Sequence, residues 1–422
     1  MRSRTTRLAL CLGLALSVGL GGCSAEAASS AAAAPSGLAA STPAAVPTPA
    51  ATPTPSAPPA PAASGGPRQP STAVTPAELA AIYAATRMQS MTLAQKIAAM
   101  FMVQVPGTDP TPMKAYLEAN RPSGFLLLGN NMPGSAEALA AQLAAATSAP
   151  AATPGLAPLI SIDEEGGDVA RLDQDVFPGA DRLKSLPVED TGASFTQRAA
   201  LLKAAGVSVN FGTVADVTAD PASFIFDRVL GTDPASASAR VAASVAAENG
   251  SVFSTLKHFP GHGETPADSH TSIPTTDLSM EGWQTRDMPS FAAGVDAGAP
   301  LVMFGHLTYS SVDAAPASLS VRWHEILRGE LGFTGVAVTD DMLMLQHSGL
   351  PEYADATSNA VRAVSAGNDM LLYNAAIDMA PSIAAITTAV QEGQISERQI
   401  DESVVRILTL QREQRVRTHP AG

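Results

Sequence analysis

The chain has 422 residues, of which 45% are hydrophobic and 15% charged, with a formal net charge of −14. That acidic balance and the lack of basic clusters exclude a nucleic-acid partner. Both cysteines, Cys11 and Cys23, lie near the N-terminus, so the remainder has no disulfide and no thiolate metal site.

Arg2, Arg4 and Arg7 precede an apolar run from Leu8 to Leu20, the pattern of an export signal and too short for a comfortable membrane span. The run ends in Leu20-Gly21-Gly22-Cys23, which resembles a bacterial lipobox with Cys23 as the lipidated residue. The expectation is a signal peptide over residues 1–22 and a lipid anchor on the outer face of the bacterial cytoplasmic membrane. Residues 23–74 are dominated by Ala, Pro, Ser and Thr. Such a segment buries too little apolar surface to offset its ordering entropy, and reads as a disordered tether. Fully extended, about fifty residues at roughly 3 Å each would reach on the order of 150 Å.

Residues 75–415 read as one domain, followed by a tail over 416–422. Eight short apolar runs lie within it: Ala99–Val103, Gly124–Leu128, Ala157–Ile162, Val207–Phe211, Val252–Leu256, Pro300–Phe304, Gly335–Thr339 and Asp369–Tyr373. They are continuous rather than alternating, as strands buried on both faces are. Ala-rich stretches of helical length separate them, including Ser135–Thr147, Ala235–Asn249, Met288–Ala297 and Tyr353–Ala366. Eight strand–helix repeats predict an α/β fold, a single (β/α)₈ TIM-like barrel. An open doubly wound sheet is the alternative, but no Gly-x-Gly-x-x-Gly fingerprint follows the first strand.

A barrel places active residues just after its strands. Asp163-Glu164-Glu165-Gly166-Gly167 follows the third run, Lys257-His258 the fifth, Gly305-His306 the sixth and Asp340-Asp341 the seventh. Downstream of the fifth, the stretch from Lys257 to His270 holds three histidines, a lysine and two acids, broken by Gly261, Gly263, Pro260 and Pro266. Asp268 stands two residues before His270 and can orient its ring and favour its protonated form. Of Asp340 and Asp341, one is a candidate nucleophile or stabilising carboxylate, and the other a helix cap or supporting partner. A carboxylate with a protonated histidine opposite meets the needs of glycoside cleavage. A metal site built from His258, His262, His270 or His306 is disfavoured: Pro260 and two glycines forbid the helix that His258 and His262 would need, and no His-Glu-x-x-His occurs. No metal and no cofactor is expected.

The ordered series of motifs resembles glycoside hydrolase family 3, in its bacterial β-N-acetylglucosaminidase branch. Its members in this chain are Met91–Ile97, Asp163–Arg171, Val209–Val217, Asp227–Pro234, Lys257–His270 and Thr339–Met342. The Asp268-Ser269-His270 segment carries the branch assignment. The resemblance implies a retaining double displacement with Asp340 as nucleophile and His270 as acid/base, oriented by Asp268. It further implies that Asp163, Arg171, Arg228, Lys257 and His258 hold the hydroxyls of the cleaved sugar, with ion pairing as the structural alternative for the two arginines. Asp168, Glu264 and Leu230 depart from the family's commoner arginine, aspartate and phenylalanine. Because the chain stops near the end of the barrel, no second domain is expected to supply a donor. The implied protein is a monomeric lipoprotein acting on N-acetylglucosamine-containing glycans or muropeptides. Rival readings are a phosphorylase, a β-glucosidase and a non-catalytic sugar-binding lipoprotein.

Overall fold

The computed structural model describes residues 74–148, 156–265 and 267–418. The expected signal peptide, Cys23 and all of the tether up to residue 73 lie outside them. The first helix, Pro76–Gln89, starts on a capping box between Thr75 and Glu78, with proline at its first position. It packs along the last helix, Glu397–Thr418. That helix runs through residues 416–418, which the sequence reading assigns to the tail; the rest of the expected tail lies outside the described residues.

Among the described residues ten strands form, in chain order: β1 (Phe101–Val103), β2 (Gly124–Leu127), β3 (Leu159–Ile162), β4 (Val209–Val214), β5 (Phe253–Phe259), β6 (Thr275–Thr276), β7 (Leu301–Phe304), β8 (Thr308–Tyr309), β9 (Val336–Asp341) and β10 (Met370–Tyr373). Eight of them close into a barrel in the order β1-β2-β3-β4-β5-β7-β9-β10, every pair parallel, with β10 returning to β1. Each of the eight expected runs supplies one barrel strand, and helices separate them as expected. The barrel strands are almost wholly buried, because side chains fill the interior and helices cover the outside.

Three strands run further than their apolar runs. β4 continues to Val214, β5 takes in Lys257 and His258, and β9 takes in both aspartates. Parallel pairing holds these polar ends in the sheet: Val214 pairs with Lys257 and Leu372 with Asp341. The functional side chains at the mouth therefore stand on strand backbone as well as on loops.

An aromatic cluster backs the end of β5. Phe259 meets Trp283, Phe291, Phe304 and Trp323 edge-on, with ring centroids 5.0–6.1 Å apart. Trp283 Nε1 donates to the Pro260 carbonyl at 2.8 Å, and Tyr309 OH to the Gly261 carbonyl at 2.7 Å. Gly261 has φ +138°, and a Cβ there would also meet the Asp287 carboxylate. A Cβ on Gly263 would collide with the Val217 carbonyl. The two glycines thus let the chain leave β5 through a tight exit. Past them, β6 and β8 form a small parallel pair that brackets the far side of the excursion.

Candidate active site

At the C-terminal mouth of the barrel lies a cavity of about 220 Å³. Asp163, Arg171, Arg228, Lys257, His258, His270 and Asp340 all line it. These residues come from four strand ends or the loops beyond them and are up to 177 positions apart in sequence. Asp268 completes the set by holding His270.

The cationic side of the cavity is a short chain of ion pairs. Lys257 Nζ lies 2.7 Å from Asp163 Oδ1 and 2.6 Å from Glu165 Oε1. Arg228 grips Glu165 with two bonds, Nη2 to Oε1 at 2.7 Å and Nε to Oε2 at 2.9 Å. Burial alone would raise the Glu165 pKa, but Lys257 and Arg228 outweigh it and bring it down to about 2. Burial also opposes the charge on Lys257, and Asp163 and Glu165 more than offset it, leaving its pKa above the ordinary value. Arg228 is thus ion-paired and still faces the cavity, with 19% of its side chain exposed. Arg171 makes no ion pair among the described residues, and its buried Nε has no hydrogen-bond partner.

His258 is fixed from behind. Its Nδ1 lies 2.7 Å from Asp216 Oδ2, and Asp216 Oδ1 accepts the backbone N–H groups of His258 at 3.1 Å and His262 at 2.7 Å. Asp216 is completely buried; burial opposes its charge, yet His258 and these N–H groups hold its pKa below the usual value. The arrangement makes Nδ1 the donor and leaves Nε2 to the cavity. Both ring nitrogens of His262, also in the cavity wall, lack a hydrogen-bond partner among the described residues, and burial pushes its pKa down to about 4. The Phe-Pro-Gly-His-Gly segment therefore does more than turn the chain.

Asp340 and Asp341 divide as neighbours on a strand must. Asp341 Oδ1 accepts from the N–H groups of Leu343 at 3.1 Å and Asn374 at 3.0 Å, holding the next turn and β10. Its pKa is raised, first by burial and further by the charge of Asp340. Among the described residues the Asp340 carboxylate accepts only the Asp341 N–H, at 2.8 Å. Burial works against its ionisation, but His258, His306, that N–H and Lys257 prevail and keep its pKa below the usual carboxylate value. His306 sits beneath, with Nε2 2.9 Å from the Asp341 carbonyl and Nδ1 2.6 Å from Ser318 Oγ.

On the rim, His270 Nδ1 lies 2.6 Å from Asp268 Oδ1, and both side chains are largely exposed, at 63% and 44%. Asp168 does not line the cavity, and Glu264 pairs with Arg286 beside the exit of β5. Sequence reasoning quoted Glu165 and Asp216 inside motifs but gave neither a role. The usable signal was a carboxylate embedded in an otherwise apolar or glycine-rich strand end.

A parallel barrel whose mouth gathers an ionised carboxylate, a cation-rich wall and an acid–histidine pair defines a glycosidase. The chain belongs to glycoside hydrolase family 3: residues 92–410 match the glycosyl hydrolase family 3 N-terminal domain. It is similar to a beta-hexosaminidase of Xanthomonas oryzae pv. oryzae, 34% identical over 263 residues that cover 58% of this chain and 75% of that one. Among solved structures it resembles a family 3 beta-N-acetylglucosaminidase from Paenibacillus sp. FPU-7, with TM-score 0.71 and 28% identity, covering 79% of this chain but only 64% of that one. It also resembles a beta-N-acetylhexosaminidase from Beutenbergia cavernae, with TM-score 0.69 and 28% identity, covering 76% of this chain and 99% of that one.

Proposed function

We propose that the protein is a retaining exo-glycosidase that hydrolyses terminal, non-reducing β-linked N-acetylglucosamine. The observation that carries this reading is that one cavity is lined both by an ionised Asp340 and by His270, which Asp268 holds. The cavity's 220 Å³ lies below the roughly 300–1,000 Å³ of common ligand pockets, which suits one sugar ring with the rest of the glycan outside. Relatives named beta-hexosaminidase and beta-N-acetylglucosaminidase support the choice of sugar.

In the reaction, Asp163, Arg171, Arg228, Lys257 and His258 bind the sugar hydroxyls, through charge-assisted bonds that strengthen as the ring distorts towards the cation-like transition state. An Asp340 carboxylate oxygen attacks the anomeric carbon while His270 protonates the departing glycosidic oxygen, so the bond to the aglycone breaks as the bond to Asp340 forms. Water then enters. His270 takes its proton, and the oxygen displaces Asp340 from the anomeric carbon with net retention.

The remaining elements of the proposal concern place and source. Export and lipidation at Cys23 would set the enzyme in the bacterial envelope, on its tether, where muropeptides and other peptidoglycan fragments present this sugar. Monomeric action needs no partner subunit. The test is an assay with aryl β-N-acetylglucosaminide, aryl β-glucoside and added phosphate. Release from the N-acetylglucosaminide, little from the glucoside and no sugar 1-phosphate is the expected result. Fast glucoside cleavage without N-acetylglucosaminide turnover would overturn the reading, and accumulation of sugar 1-phosphate would replace hydrolysis with phosphorolysis.

A further inference from the structure

Behind the sugar-facing arginine lies a buried acid that the reaction does not use. Glu164 has no exposed surface. Both its carboxyl oxygens lie within reach of the Arg171 backbone N–H, at 3.1 and 3.0 Å, and Oε1 also takes the Leu172 backbone N–H at 3.4 Å. Its backbone is held by Asn210, which accepts from the Glu164 N–H at 3.1 Å and donates to its carbonyl at 3.0 Å. The charge of Asp175 also bears on Glu164. Asp175 in turn forms an ion pair with Arg198 at 2.5 Å, both side chains fully buried.

We infer that Glu164 is a positioning residue for Arg171: its buried carboxyl accepts the backbone N–H groups of Arg171 and Leu172, and so fixes the turn from which the Arg171 guanidinium enters the cavity. The inference rests on the sugar-binding reading of Arg171.

The surroundings agree. The charged groups facing Glu164 are Asp175 from its own loop, Arg198 from the helix Val188–Ala204 and, beyond Asn210, Glu248 from the helix Pro234–Glu248. Burial and the Asp175 charge raise the Glu164 pKa to about 8 against the pull of the two N–H groups. Loss of the proton sets two buried anions against each other and loosens the turn that carries Arg171. Sugar binding should therefore weaken as pH rises through that range.

The experiment is calorimetric titration of N-acetylglucosamine into the full chain. At pH 6, Glu164→Gln should bind within about twofold of the parent, because an amide reproduces both the donor and the acceptor of a protonated acid. Glu164→Leu and Arg171→Ala should each weaken binding about tenfold, and the double variant should be no weaker than the worse single one, as expected of residues acting in series. Between pH 6.5 and 9 the parent should lose affinity relative to Glu164→Gln. Losses that add in the double variant, or parallel pH curves for the parent and Glu164→Gln, would overturn the inference. If Glu164→Leu does not fold, the pH comparison decides alone. Unchanged binding in Arg171→Ala would remove the subsite reading and this inference with it, whereas turnover lost with binding intact would count against the catalytic assignment only.

Discussion

His270 Nδ1 lies 2.6 Å from Asp268 Oδ1, and the same oxygen accepts the His270 backbone N–H at 3.0 Å. One carboxylate oxygen thus sets both the place of the residue and the direction of its ring, and Nε2 points away from Asp268. Histidine with an anionic partner can release a proton to a leaving group and recover one from water.

This geometry makes proton delivery separable from nucleophilic attack. His270→Ala should lower kcat/KM by about 10²–10⁴-fold on glycosides with poor leaving groups, and much less on activated aryl glycosides. A plot of log kcat/KM against leaving-group pKa should become steeper. Asp268→Asn should move in the same direction by a smaller amount. Equal losses across the leaving-group series would remove His270 from the acid/base role.

Glu165 is the joint of the cationic wall, since it holds both Lys257 and Arg228. Glu165→Ala leaves two cations against a buried hole and should destabilise the fold by about 3–5 kcal/mol in a denaturant titration. Glu165→Gln keeps the shape and loses the charge. Its kcat/KM should fall roughly 10–100-fold at a melting temperature closer to the parent's. An unaltered kcat/KM would show that the wall is set by other contacts.

Asp216 governs His258 in the same manner. Asp216→Asn lacks the anion that fixes Nδ1 as donor, and should lower kcat/KM on the N-acetylglucosaminide by about tenfold or more. Asp216→Glu should not restore it, because two backbone N–H groups bind the other carboxylate oxygen, Oδ1, and fix where the carboxylate must sit. Full activity in either variant would contradict the positioning of His258 by Asp216.

Stability should fall on the alkaline side of neutrality. Burial raises Glu164 to about 8, and Glu248 and Asp287 to about 7. For groups raised in this way, the folded state holds protons that the unfolded chain releases. Their contribution is complete below the unfolded value of about 4 and is lost as pH rises through 7–8. His262 and His324, lowered to about 4, work oppositely: their contribution is present above about 6.5 and lost as pH falls through 4. Above pH 6.5 only the carboxyl effect of these two sets remains. Melting temperature should therefore decline between pH 6.5 and 8.5, and Glu248→Gln should flatten that decline. A melting temperature that rises over this interval would contradict the account.

Much of the barrel is legible because parallel strands buried on both faces read as unbroken apolar runs such as Phe101-Met102-Val103 and Val336-Ala337-Val338. Strand ends were less legible. Lys257, His258, Asp340 and Asp341 belong to strands by hydrogen bonding, while their polarity marks them as loop. The residues that reach the cavity were legible through their motifs. The ones that hold them, Glu165, Asp216 and Glu164, were not, because pairing across tens of residues is a property of the folded chain. His262 entered the sequence reading only as a disfavoured metal ligand, yet its ring lines the cavity.

The central claim is that Asp340 forms the covalent bond to the sugar. The most direct measurement is mass spectrometry of the protein after incubation with a slow fluorinated glycoside that accumulates the glycosyl-enzyme. The account predicts one sugar added, located on the peptide containing Asp340 and absent from Asp340→Ala. A sugar found on any other residue, or on the Asp340→Ala protein, would contradict it.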